Sequence, residues 1–308
     1  MPLVSAGTWQ YNATEAASVV ELALGAGFRH VDTAYDYGNQ RGCSTGLRRG
    51  STAAGLERGD VFVTTKVPGC GVQGVDPGDC SGSTKAFLET DFAELGSDFG
   101  LGGYIDLVLL HFPPCVTDPQ PGSPTTTRCS KDRSGCSSAN CAAIKDQWAV
   151  LEEFYGAKKI RAIGVSNFCD ACLACLAGAA VQPAVNQVQL HVGMGSDPQG
   201  FFAMNARYGI QTQAWSPLGS GGHGSSEILS GNLTSAVARA HGKSTAQVAL
   251  KYLLAKGAAV ATKSSSAAHL AQDIALFDWA LSDADVAALD AASFAADDVP
   301  SFMCDNTP

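Results

Sequence analysis

The chain has 308 residues, of which 45% are hydrophobic and 16% charged, and a formal net charge of −9. That apolar share is enough to bury a large core, while an acidic balance without any stripe of lysine and arginine excludes a phosphate-backbone binder. No apolar run approaches the roughly 18 residues of a membrane helix, and no signal peptide precedes the first strand, so neither nucleic acid nor membrane is an expected partner and a cytoplasmic protein is expected.

Val4 to Trp9 reads as a short strand ending in Gly7-Thr8-Trp9. Asn12 then caps a helix, with Glu15 three positions on and Val19, Val20, Ala23 and Leu24 as its apolar stripe. The segment Gly27 to Asn39, GFRHVDTAYDYGN, runs a strand into Asp32 and then into a loop that holds Tyr37. A helix over Asn39 to Arg49 follows. The strand Val61 to Lys66 ends in a lone lysine, and a helix is expected over Ser83 to Leu95. The strand Ile105 to His111 ends in a lone histidine.

From Phe112 to about Ala139 the composition shifts to Pro, Ser, Thr, Cys and charge, too polar for a core layer. It reads as an insertion over the carboxyl edge of the sheet. A helix over Cys141 to Tyr155, a strand over Ile160 to Val165, a helix over Cys169 to Ala177 and a strand over Ala184 to Gln189 come next. Then follow a helix over Gln199 to Tyr208, a strand over Gln211 to Trp215, and a Gly/Ser-rich loop from Leu218 to Gly231. Helices over Leu233 to His241 and Thr245 to Ala255, a strand over Ala258 to Lys263, and two last helices, from Ala267 and over Ser282 to Ala291, complete the chain.

Strict alternation of strand and helix predicts an α/β fold with a parallel sheet, and eight repeats favour closure into a (β/α)8 TIM barrel. The fingerprint GxGxxG is missing after the first strand, which disfavours a Rossmann domain. The expected organisation is one barrel domain over residues 1–308, with a Cys/Pro/Ser-rich insertion at about 112–140.

On such a barrel the ends of neighbouring strands share one rim, so Asp32, Tyr37, Lys66 and His111 can converge. Taken singly, each has a structural explanation: a helix cap, loop packing, a satisfied core histidine. Together they suit proton delivery to a carbonyl. A phenol, with a pKa of about 10 in water, is a reluctant acid. A neighbouring ammonium stabilises its anion, and a carboxylate holds that ammonium. A neutral imidazole can fix the carbonyl oxygen by a hydrogen bond. None of the four supplies a hydride, so a cofactor is required.

Eight blocks in order, GTW at Gly7 to Trp9, GFRHVDTAYDYGN, VTTKV around Lys66, YIDLVLLHFP at Tyr104 to Pro113, IRAIGVSNF at Ile160 to Phe168, AVNQVQLH at Ala184 to His191, AWSPLGSG at Ala214 to Gly221 and Lys263-Ser264, resemble the strand ends of the aldo-keto reductase family. The resemblance runs from about Leu3 to Leu289. It implies an NAD(P)H-dependent reductase of aldehydes or ketones, with Tyr37 as general acid, Lys66 lowering its pKa, Asp32 anchoring Lys66, and His111 orienting the carbonyl. It also implies that Ser166, Asn167 and Gln187 bind the nicotinamide carboxamide and that Trp215 stacks on the ring where a tyrosine is usual. Ser216, Leu218 and Ser220 then follow the pyrophosphate, Gly7, Thr8 and Asp32 complete the cofactor side, and Lys263 and Ser264 hold the 2′-phosphate. His269 stands in place of an arginine, and Gln272 and Asp273 in place of a glutamate and an asparagine. The lost guanidinium removes a bidentate clamp and the added carboxylate disfavours phosphate. NADPH remains the expected cofactor because Lys263 supplies a positive charge, with NADH as the alternative. Trp9 and Phe112 correspond to aromatic walls of the substrate pocket, and a monomer is expected.

The chain contains eleven cysteines. Cys115, Cys129, Cys136 and Cys141, with Cys70 and Cys80, are expected to pair into disulfides that staple the insertion, the alternative being a reduced insertion. Cys169, Cys172 and Cys175 lack a second ligand pair for a metal and read as small buried apolar residues, so no metal is expected. Two other functions compete: a barrel that binds the cofactor but serves a regulatory role, which the intact set of four argues against, and a metal-dependent hydrolase, for which His30 and Asp32 are the only candidate ligand pair.

Overall fold

The computed structural model describes residues 1–72, 75–116, 136–219 and 225–294. Its eight strands are β1 (Val4–Gly7), β2 (His30–Asp32), β3 (Phe62–Val67), β4 (Ile105–Leu110), β5 (Ile160–Ser166), β6 (Val185–Gln189), β7 (Gln211–Trp215) and β8 (Ala259–Thr262). All pair in parallel in chain order, and β8 closes on β1. This is the (β/α)8 barrel expected from the alternation.

The helices form the outer ring: α1 (Ala13–Ala26), α2 (Gln40–Ala54), α3 (Cys80–Leu95), α4 (Ser138–Gly156), α5 (Asp170–Ala174), α6 (Phe201–Tyr208), α7 (Ser225–Ser230), α8 (Asn232–His241), α9 (Thr245–Ala255), α10 (Ala267–Ile274) and α11 (Asp283–Asp290). Asn12 and Glu15 form the expected capping box on α1. Helix α3 starts three residues earlier than its apolar stripe suggests, because Asp79 caps it by accepting from the Gly82 amide. Helix α5 is shorter than expected, and α7 lies where only a Gly/Ser-rich loop was expected. Serines in sequence carry a turn signal, and the buried Ile228 overrides it.

Helices α1 and α2 lie unusually close. A Cβ at Gly42 would stand 2.0 Å from the Ala13 carbonyl oxygen, one at Gly46 2.5 Å from that of Ala17, and one at Gly50 2.9 Å from Leu24. Glycine every fourth residue leaves one bare helical face, and that face is what admits the neighbouring backbone.

Much of the insertion, residues 117–135, lies outside the described residues, as do Cys129 and Cys304. The cysteines that are described correct the expected pairing. Cys70 bonds to Cys80, as the staple idea allows, but Cys136 bonds to Cys172 and Cys141 to Cys175. The insertion's far end and the start of α4 are therefore tied to the β5–α5 region rather than to the insertion itself. Cys172 and Cys175 are disulfide partners and not simple apolar fillers; Cys169, the third of that set, and Cys115 are bonded too. Three-residue spacing puts the thiols of Cys172 and Cys175 on one side of α5 and its C-cap, where Cys136, just before α4, and Cys141, in the first turn of α4, supply the partners.

Closing loops of 36 and 34 residues should contribute roughly 3–4 kcal/mol each in the chain-entropy account. Eight of the eleven cysteines being bonded leaves at most three thiols to react. Thiol titration in denaturant without reductant is expected to find no more than three; ten or eleven would contradict the pairing.

Candidate active site

The strand ends deliver the site. Parallel register places Gly7 beside Asp32, Asp32 beside Thr64, and Ser166 beside Gln187, all at the carboxyl rim. A cavity of about 560 Å³ opens there, lined by Thr8, Trp9, Asp32, Tyr37, His111 and Phe112 on one side. Asn167, Gln187, Trp215, Leu218 and Lys263 line the other.

The four residues singled out in the sequence do meet. Lys66 is fully buried, and its Nζ donates to Asp32 Oδ1 at 2.5 Å, to the Thr33 carbonyl at 3.0 Å and lies 3.2 Å from Tyr37 Oη. Asp32's other oxygen accepts from Gln187 Nε2 at 2.7 Å. The ring of His111 stands edge-on to Tyr37, with centroids 5.7 Å apart, and stacks on Phe112 at 4.3 Å. Burial pulls the Lys66 ammonium down, but the Asp32 carboxylate and the Tyr37 hydroxyl together outweigh it, so its pKa ends above the ordinary value. Burial likewise pushes the Tyr37 phenol up, against the pull of Lys66. Lys66 does act downward on the Tyr37 pKa, as expected, but desolvation is larger and leaves the phenol above its ordinary value. The phenol keeps its proton through neutral pH, the form an acid needs.

The expected carboxamide set is linked internally. Ser166 Oγ donates to the Gln187 carbonyl at 2.8 Å, and Asn167 Nδ2 donates to the His111 carbonyl at 3.0 Å. Asn167 Oδ1 accepts from Trp215 Nε1 at 3.0 Å. Asn167 and Ser216 both have positive φ, 62° and 49°, and Asn tolerates this conformation better than most residues. Trp215 is thus held by its indole N–H while its ring lines the cavity. Trp9 is 46% exposed at the mouth, and Phe112 is buried against Val72 and Cys115.

At the other end, Gly7 lies close under the Thr262 carbonyl, 3.3 Å from a would-be Cβ, which would have to push that carbonyl aside by a few tenths of an ångström. Lys263 lies over the Tyr11 ring at 4.5 Å and donates to Gln10 Oε1 at 3.1 Å. Ser264 Oγ accepts from the Ser266 amide, and His269 and Gln272 are exposed on α10. Ser220 lies outside the described residues. Asp273 is 2% exposed and its Oδ2 accepts from Thr262 Oγ1 at 3.0 Å.

Sequence reasoning missed Asp36, whose Oδ1 lies 2.9 Å from His111 Nδ1. It also missed Gln213, whose Oε1 accepts from Gln187 Nε2 at 3.0 Å. An acidic residue in a Gly-containing loop looks solvated, and only its place next to Tyr37 hints otherwise.

A closed parallel barrel with a buried lysine–carboxylate pair under a phenol at its carboxyl rim defines an enzyme of proton-coupled group transfer. The Aldo/keto reductase family matches residues 3–293, and the chain belongs to that family. Among its relatives, a morphine 6-dehydrogenase of Pseudomonas putida is 33% identical, the match covering 94% of this chain and 87% of the relative. A 9,11-endoperoxide prostaglandin H2 reductase of Trypanosoma cruzi is 32% identical with the same coverages. An aldo/keto reductase from Brucella melitensis superposes with a TM-score of 0.74 at 29% identity, covering 94% of this chain and 93% of that one. A Bombyx mori aldo-keto reductase in complex with NADP gives 0.70 at 25% identity, covering 94% and 88%. The chain is an NAD(P)H-dependent oxidoreductase of carbonyl compounds.

Burial raises the Asp273 pKa to about 6. Because the folded value exceeds the unfolded one, the unfolded chain loses this proton first, and the carboxyl's contribution to stability is present below pH 4 and lost as pH rises through about 6. Asp273→Asn is therefore expected to raise Tm at pH 7 relative to pH 4.5, read by thermal unfolding at both pH values. It should leave the ratio of NADPH to NADH affinity within about twofold, the scatter expected of a distant site.

Proposed function

We propose that the protein reduces neutral aldehydes or ketones with NADPH, Tyr37 giving its proton to the carbonyl oxygen as the nicotinamide supplies the hydride. The observation that carries this reading is the buried chain Asp32–Lys66–Tyr37, whose hydroxyl end faces the cavity beside His111. Lys66 stabilises the phenolate left behind, Asp32 fixes Lys66, and His111 Nε2 faces the position of the carbonyl oxygen. Ser166, Asn167 and Gln187 present uncharged polar groups suited to the carboxamide, and Trp215 offers a face for the nicotinamide. Gly7, Thr8, Ser216, Leu218 and Ser220 would follow the cofactor outward to Lys263, Ser264, His269 and Gln272.

NADPH is favoured over NADH because Lys263 lies at the cavity's outer end while the Asp273 carboxylate is withdrawn into the fold. Trp9 and Phe112 give the substrate end apolar walls, which suits a carbonyl compound of modest size. A monomer is supported by exposed apolar side chains, Leu22 on α1, Leu229 on α7 and Phe277 between α10 and α11, that lie apart in the chain. No helix among the described residues is long and apolar enough to cross a membrane. The disulfides favour an oxidising compartment over the cytoplasm, where thiols are kept reduced. A regulatory barrel without turnover is disfavoured by the intact proton-transfer set.

The test is loss of absorbance at 340 nm with a panel of neutral aldehydes and ketones, NADPH against NADH. Tyr37→Phe is expected to reduce kcat by about 100-fold or more, the usual worth of a positioned acid, with NADPH affinity kept. Cofactor binding without turnover across the whole panel would contradict the reading.

A further inference from the structure

The cavity wall at Phe112 is backed by a segment that lies outside the proton-transfer set. Leaving β3, the chain runs Pro68-Gly69-Cys70-Gly71-Val72 beside the residues that leave β4, and all five are buried. The two segments touch backbone to backbone, the Cys115 amide donating to the Cys70 carbonyl at 2.7 Å. Two glycines permit that approach. A Cβ at Gly69 would stand 2.5 Å from the Phe112 carbonyl oxygen and one at Gly71 2.0 Å from that of Cys115; Gly71 also has a φ of 72°, which a side chain would strain. Val72 then meets Phe112 and Cys115 in a small apolar cluster of their own, apart from the main core.

This segment is itself tied down. Gln147, fully buried on α4, accepts from the Cys70 amide at 2.9 Å and donates to the Pro68 carbonyl at 3.0 Å and to Thr84 Oγ1 at 2.8 Å. The Cys70–Cys80 disulfide joins the same loop to the first residue of α3. Cys70 is therefore held through its amide, its carbonyl and its sulfur, two positions before Val72. Phe112 also stacks on His111 at 4.3 Å and is only 8% exposed. A ring packed in this way cannot swing aside without opening a void. Trp9, which is 46% exposed, has no such backing, so the substrate end has one fixed wall and one open one.

We propose that Val72, Cys70 and Cys80 are positioning residues that set the size of carbonyl compound this cavity accepts, by holding Phe112 as its fixed wall. The inference deepens the reductase reading and rests on it. A wall rejects an oversized ring only as far as it resists being pushed aside, so discrimination by size measures how firmly Phe112 is backed. The class selected is a short aliphatic or single-ring aromatic aldehyde over a fused-ring one. His111 keeps holds that do not pass through Val72: its amide donates to the Val67 carbonyl at 2.9 Å, and its own carbonyl accepts from Asn167 Nδ2 at 3.0 Å. Loosening Phe112 should therefore change which substrates bind and spare the proton transfer.

The test compares propanal, benzaldehyde and naphthaldehyde at saturating NADPH in the wild type, in Val72→Ala and in the paired substitution Cys70→Ala with Cys80→Ala. The wild type is expected to prefer benzaldehyde to naphthaldehyde, and each variant to narrow that preference about tenfold, the scale on which an apolar pocket discriminates by size. The change should fall on KM, with kcat for propanal and NADPH affinity kept within about twofold, and Val72→Ile should retain the wild-type preference. A preference that is the same in the wild type and both variants overturns the proposal, and so does a loss that falls equally on propanal, which a merely structural role would give. The second readout needs no turnover. Removing the disulfide is expected to speed hydrogen exchange of the Cys115 amide about tenfold, followed by NMR without substrate; exchange equal to the wild type overturns the proposal. If the wild type reduces none of the three aldehydes, the reductase reading fails, while the exchange result still decides whether the disulfide holds this contact.

Discussion

The site depends on one buried ion pair. Lys66 is wholly enclosed, and an ammonium taken out of water costs several kcal/mol unless its hydrogens are matched. Here three acceptors meet it, the Asp32 carboxylate, the Thr33 carbonyl and the Tyr37 hydroxyl oxygen, while Gln187 occupies the second Asp32 oxygen. Those partners come from β2, its following turn, and β6, on either side of the barrel's interior. The acceptors of Lys66 lie on β2 and its turn, beside the lysine's own strand β3, and Gln187 reaches Asp32 from β6 across the barrel's interior. Removing one member of such a pair is expected to cost about 3–5 kcal/mol, because the other charge is stranded.

The polar network extends outward from that pair without a break. Gln187 reaches Gln213, and its carbonyl takes the Ser166 hydroxyl hydrogen; Ser166 Oγ accepts from Asn167, which holds both the His111 carbonyl and the Trp215 indole. The proposed nicotinamide seat and the proposed carbonyl donor thus share one hydrogen-bonded frame. Two disulfides tie α4 and the residues just before it to the segment after Asn167, which restrains that frame from the outside.

The strands were legible because each is a short apolar run stopped by one unlike residue, and a barrel aims those residues at a common rim. Asp32, Lys66 and His111 are readable for that reason, and Tyr37 follows from its distance to Asp32. Asp36 was not, since an acid between two tyrosines carries no periodic signal and its meaning comes from a histidine 75 positions away. The burial of Asp273 against Thr262 was equally unreadable, since a carboxylate gives no sequence signal for a hydroxyl eleven positions away. The cysteine partners are a matter of which segments face each other, the start of α4 with the residues before it against α5 and its C-cap, and spacing alone leaves that open.

The most direct test of the central claim replaces the buried pair as a unit. Asp32→Asn combined with Lys66→Met removes both charges and leaves neither stranded. The double variant is expected to fold and to bind NADPH, yet to oxidise it in a single turnover with a neutral aldehyde about 100-fold more slowly than the wild type, the scale of a lost proton-transfer partner. A folded double variant whose single-turnover rate stays within a few-fold of the wild type would contradict the account.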